Sequence, residues 1–89
     1  AALQQTVDIL IASFDVAAQQ YGFRCATRLR EQGKSVEVYP EPGKLKKQFE
    51  YAAKRNIPFV AIVGEDEMQK GTLTLKDQAT GTQETIHLF

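Results

Sequence analysis

The sequence predicts an α/β domain of three layers, a mixed five-stranded sheet with helices on its flanks. Three observations carry this. Short apolar or alternating runs at Thr6–Ser13, Ser35–Tyr39, Phe59–Val63, Thr72–Lys76 and Gln83–Leu88 have strand character. The first three runs are separated by two segments whose apolar residues recur every three or four positions. Those are helical crossovers, so the strands they join run parallel with right-handed connections. The last three runs are separated by short turn-like stretches only and run antiparallel. Eighty-nine residues supply one modest core and no second one, so 1–89 reads as a single domain.

Each element has a local reason. Thr6–Ser13 begins with alternation and becomes continuously apolar, as suits a central strand covered on both faces. Ser13 and Asp15 stand where a helix can be capped. Ala18, Tyr21, Gly22, Cys25, Ala26 and Leu29 then form one stripe, with Gln19, Gln20, Arg24, Arg28, Arg30 and Glu31 largely off it, and Gly33 ends that helix. Pro40-Glu41-Pro42-Gly43 breaks the second strand in a loop. Leu45, Phe49, Ala52 and Ala53 make the stripe of a second helix that ends near Asn56. Phe59–Val63 is β-branched and apolar throughout, a buried strand stopped by Gly64. Glu65, Asp66 and Glu67 read as a sharp acidic turn, and Gly71 admits the next strand, with threonines on one face and leucines on the other. Asp77–Gly81 has turn composition, and Gln83–Leu88 alternates with Ile86 and Leu88 on one face and Thr85 and His87 on the other.

Composition narrows function. Eleven basic residues balance eleven acidic ones, so nucleic-acid contact has to be local rather than a general attraction, and neither a membrane surface nor DNA is an expected partner. The longest early apolar run, Ile9–Phe14, falls far short of a membrane span. One cysteine and no internal disulfide fit a reducing compartment, and cytoplasm is the expected localisation. The chain starts without methionine and stops on Leu88-Phe89 just after a strand-like pattern, so both ends read as cut from something longer.

Catalytic constellations are missing. His87 lies on the polar face of the last strand with no second ligand for a metal, Cys25 lies on an apolar helix stripe, and no phosphate-cradling glycine loop follows the first strand. Glu65 and Glu67 have nothing apolar beside them to separate their pKa values for acid–base work. No catalytic residue and no metal ligand is assigned. Nucleic-acid contact fits better. Lys44, Lys46 and Lys47 start the second helix near the strand ends where open α/β sheets bind ligands, and would meet phosphates. Glu67 can accept from base amino or imino groups, Lys76 can donate to base carbonyls, and Tyr39 at the same edge offers a ring for stacking.

These residues resemble a known family. Pro-Gly-Lys-Leu-Lys-Lys-Gln-Phe-Glu-Tyr-Ala-Ala-Lys at 42–54, Ile-Pro-Phe-Val-Ala-Ile-Val-Gly-Glu-Asp-Glu at 57–67, and Gly-Thr-Leu-Thr-Leu-Lys-Asp-Gln-Ala-Thr-Gly-Thr-Gln at 71–83 look like the C-terminal anticodon-binding domain of histidyl-tRNA synthetases. Synthetases for threonine, proline and glycine share the fold and the glutamate after the glycine, but usually carry arginine in place of Lys76-Asp77. The resemblance implies the class II synthetase anticodon-binding fold, appended to a catalytic domain that makes histidyl-adenylate from ATP and Mg and transfers histidine to tRNA. No cofactor is implied in this domain itself. The implied partners are tRNA, through its histidine anticodon loop, and the catalytic domain of the same synthetase, with a homodimeric parent. The second glutamate of the turn and the basic residue on the next strand contact anticodon bases in such relatives, and the matching positions are Glu67 and Lys76. Asn56 matches a third contact position with a different residue type. The family domain continues past its last strand into a further helix, absent after Phe89. A competing expectation is a synthetase-like protein-interaction or dimerisation module that does not read tRNA.

Overall fold

Alternation along the first strand builds the two faces of the sheet. The structure, a computed structural model, describes residues 7–89. Within them β1 (Ile9–Ser13) is buried at every position, and the expected start at Thr6 lies outside the described residues. Ile9 and Ile11 join one apolar cluster and Leu10 and Ala12 the other. The first cluster is completed by α1 (Val16–Glu31), whose Ala18, Tyr21, Cys25, Ala26 and Leu29 match the stripe read from the sequence. Asp15 caps that helix, its carboxylate accepting from the Ala18 N–H at 2.8 Å. The second cluster is completed by α2 (Leu45–Lys54), through Ala52 with Leu45 and Phe49 at its margin. Helix, sheet and helix make three layers.

Edge to edge the strands are ordered β2 (Val36–Val38), β1, β3 (Phe59–Val63), β4 (Thr72–Asp77) and β5 (Gln83–His87). The first three are parallel and the last two antiparallel to their neighbours, as the connections dictate. β2 is shorter than Ser35–Tyr39: Tyr39 still donates its N–H to the Ile11 carbonyl at 3.0 Å, and Pro40, which has no N–H, follows it.

Two local readings are corrected. Gln48, not Ala53, lies buried on α2, while Ala53 is exposed. The acidic stretch is no simple turn but a short helix, α3 (Glu65–Lys70), with all three acids in its first turn and Lys70 in its last. Carboxylates at a helix N-terminus face the unpaired N–H groups and the positive end of the dipole, which offsets their mutual repulsion. Gly71, at φ 68°, ends the helix in the left-handed conformation that only glycine takes without strain.

Candidate functional site

The side of the sheet that carries α2 is covered only as far as β3. Beyond it, β4 carries Thr72, which is buried, and the half-buried Thr74 and Lys76, paired across the ladder with His87, Thr85 and Gln83 of β5. Residues directly opposite on antiparallel strands share a face, so these six make one polar strip. His87, Thr85 and Gln83 are exposed.

Glu67 borders this strip and is held at both oxygens. One accepts from the Gly64 N–H at 2.9 Å, the reach-back of a third helical residue to its own N-cap, and the other accepts from the Thr74 hydroxyl at 3.2 Å. Each oxygen keeps a lone pair for a further donor. The carboxylate is therefore fixed in place yet still able to accept. Lys76 lies two residues along β4 from Thr74, on the same face and roughly 7 Å away by strand geometry. Its ammonium rests 4.8 Å from the centre of the Phe49 ring on α2, a cation–π contact that orders a flexible side chain. Lys46, Phe49, Glu50, Ala53, Lys76 and Gln78 line a shallow groove of about 530 Å³ between α2 and β4.

The remaining residues read from the sequence divide. Lys44, Lys46 and Lys47 are exposed at the N-terminus of α2, where no side chain caps the first-turn N–H groups. Lys47 approaches Glu41 at 3.5 Å, an exposed pair of little energetic weight. The loop that brings these lysines in is anchored by Gln48. Ile9 and Ile11 turn their backbone groups toward β2, so Ser13 turns the same way where β2 has already ended. The buried Gln48 amide takes the place of the missing strand: it accepts from the Ser13 N–H at 3.0 Å and donates to the Ser13 carbonyl at 2.9 Å. Asn56 is exposed beyond the other end of α2, with φ 56°, and its position ends that helix. It stands at the start of β3, the end toward which Lys76 lies, since Phe59 pairs with Asp77.

Tyr39 is a correction. It is only 8% exposed and packs edge-on against Tyr51 at 5.1 Å, on the other flank of α2 from Lys76, so the stacking role read for it is withdrawn. Tyr51 in turn donates to the Glu37 carboxylate, and that bond pushes the phenol above its ordinary pKa. The strip thus unites Glu67, Thr74, Lys76 and Lys46, while the other lysines and Asn56 lie at its two ends. Thr74, Phe49 and Gln48 had no role in the site as read from the sequence. The signal for Gln48 was present: a polar residue at 48 interrupts the apolar spacing 45, 49, 52. Among the described residues no group of three or more His, Cys, Asp or Glu side chains is placed to hold a metal ion. No helix there is long and apolar enough to cross a membrane.

Comparison with known proteins gives a consistent neighbourhood. A family described as an anticodon binding domain matches residues 6–88. The histidine–tRNA ligase of Phocaeicola vulgatus is 44% identical over 79 residues, covering 89% of this chain and 17% of that protein. The histidine–tRNA ligase of Cytophaga hutchinsonii is 43% identical over 75 residues, covering 84% and 17%. Among solved structures, histidyl-tRNA synthetase from Nostoc sp. PCC 7120 superposes with a TM-score of 0.87 at 27% identity, over 94% of this chain and 20% of that one. The chain thus spans about a fifth or less of the length of these relatives.

Proposed function

This chain belongs to the anticodon-binding domain family, on the side of the histidine–tRNA ligases, and we propose that it grips the anticodon loop of a histidine tRNA for a catalytic domain carried elsewhere in the same protein. The observation that carries the proposal is the row Glu67–Thr74–Lys76, a fixed acceptor and an ordered cation on an uncovered strip of sheet. Unpaired bases of an RNA loop present imino and amino donors and carbonyl acceptors along their edges, and such a row meets both kinds. Lys44, Lys46 and Lys47 then neutralise flanking phosphates. Asn56, beside the Lys76 end, extends the contact surface. The whole protein would couple histidine to tRNA with ATP and Mg in its catalytic domain, act in the cytoplasm and pair as a homodimer. This domain holds the tRNA while that chemistry proceeds.

The test is a titration of the chain, at low salt, with a stem-loop carrying a histidine anticodon and with the same stem closed by a scrambled loop. The cognate loop is expected to bind more tightly, and Lys76→Ala and Glu67→Ala each to reduce the discrimination by roughly 1–3 kcal/mol. Equal affinity of the unaltered chain for both loops would sink the proposal. The slope of affinity against salt separates it from a protein-interaction module, because phosphate contacts make RNA binding fall steeply as salt rises.

A further inference from the structure

We infer that Phe14 is a stacking platform for an unstacked base of the bound RNA, a role that rests on the tRNA-binding reading above and adds to it a site that reading does not contain. Phe14 follows the last residue of β1 and precedes the Asp15 cap of α1, and its side chain is 51% exposed. It belongs to neither apolar cluster. The ring lies instead against Gly64. A Cβ built on that glycine would come within 2.9 Å of ring carbon Cδ2 and 3.0 Å of Cε2, and 3.2 Å from the Glu67 Oε1. The absence of a side chain at 64 therefore lets an aromatic ring and a fixed carboxylate sit side by side, and any other residue there would push them apart.

That pairing is what an unstacked base requires. A nucleobase leaving its stack loses π-contact on its faces and exposes donors along its edge, and sequence-tolerant stacking on an aromatic side chain restores the first while an acceptor meets the second. The Tyr39 and Phe49 rings do not offer this: the first is buried on the other flank of α2, and the second already carries the Lys76 ammonium. Charge selects the occupant: the row passes from the Phe14 ring through the Glu67 acceptor and the Thr74 hydroxyl to the cations Lys76 and Lys46, which suits bases with their phosphates.

The chain contains no tryptophan, so Phe14→Trp supplies a single indole at the site, excited apart from the three tyrosines. With a histidine anticodon stem-loop as the probe, the indole emission is expected to be quenched in step with saturation, followed independently by anisotropy of the labelled RNA. Phe14→Leu keeps bulk against Gly64 but has no π-face, and should weaken binding about tenfold, with Phe14→Tyr restoring it. The salt slope should stay the same in all variants, because the lysines that meet phosphate are untouched. The thermal midpoint of Phe14→Leu should match that of the unaltered chain. Leu binding as tightly as Phe, or indole emission unchanged while the RNA saturates, would overturn the stacking role alone. If the unaltered chain fails to bind the stem-loop, the tRNA-binding reading falls and this inference with it.

Discussion

The two faces of the sheet are built differently. On one, the 16 residues of α1 pack over β2, β1 and β3, and the apolar cluster extends beyond them to Leu73 on β4. A polar group that α1 sends deep there, the Tyr21 hydroxyl, donates to the Thr72 carbonyl at 2.6 Å. On the other, the 10 residues of α2 pack over β1 and β3 and meet β4 at the Phe49–Lys76 contact, and the strip on β4 and β5 is otherwise left to threonines, Gln83 and His87. The same β4 backbone serves both: Leu73 and Leu75 turn to the closed face, Thr74 and Lys76 to the open one. Where a sheet outruns its helical cover and the residues there are polar and tethered, side chains are held in place without being buried.

Three substitutions sharpen the contrast. The largest effect belongs to the closed face: Leu73→Ala, at a residue 1% exposed, should cost about 2–5 kcal/mol in a denaturant melt through lost burial and the cavity left behind. RNA affinity measured well below the new midpoint should stay within a factor of two to three, since Leu73 faces away from the strip. A parallel loss of specific affinity would show that the faces are not independent.

Next, Gln48→Leu should lower stability by about 1–3 kcal/mol, because the buried Ser13 N–H loses its acceptor while the Ser13 carbonyl keeps the Gly43 N–H at 3.0 Å. Hydrogen exchange of the Gly43 and Ser13 amides is the local readout. No acceleration there would mean that the amide is not what anchors the loop.

The smallest effect concerns pH. Burial pushes both the Tyr21 phenol and the Cys25 thiol above their ordinary values of 10.0 and 9.0. In the window above those values the folded chain holds protons that the unfolded chain has released, so stability should be flat at neutral pH and decline as pH rises past about 9. Tyr21→Phe should cost about 1 kcal/mol at neutral pH through the lost hydrogen bond, and should remove the phenol's share of the alkaline decline. A chemical-denaturation series across that range checks both, and an unchanged alkaline slope in the variant would assign the decline elsewhere.

Much of the closed face could be read from the sequence, because burial leaves a periodic record. The α1 stripe and the run Phe59–Val63, buried at Val60, Ala61 and Val63 and half-buried at Phe59 and Ile62, are apolar at the spacings their elements demand, and both lie where that spacing puts them. Strand directions followed from connection length alone. The open face was legible only in part. Glu67 and Lys76 stood out as charges beside strands, but the contact of Lys76 with Phe49 is long-range and without period, and the tethers of Glu67 to Gly64 and Thr74 depend on the short helix that follows β3. Tyr39 shows the same limit from the other side: an aromatic before Pro40 has the same spelling whether its ring turns into the core or out to solvent, and here Tyr51 holds it in. The short helix α3 was concealed by its own charges, since like charges in a row suggest repulsion until the N-terminal N–H groups beneath them are counted.

The double tether of Glu67 restricts how the surface can be redesigned. The atoms that would read a base also close the first turn of α3 and hold Thr74, so replacing Glu67 to alter anticodon preference changes the shape of the reader along with its chemistry. Lys76 carries no such second duty to the backbone. If the two positions read bases as proposed, a change of specificity would run more freely through position 76 than through position 67, and libraries aimed at new anticodons should vary the first while keeping the second.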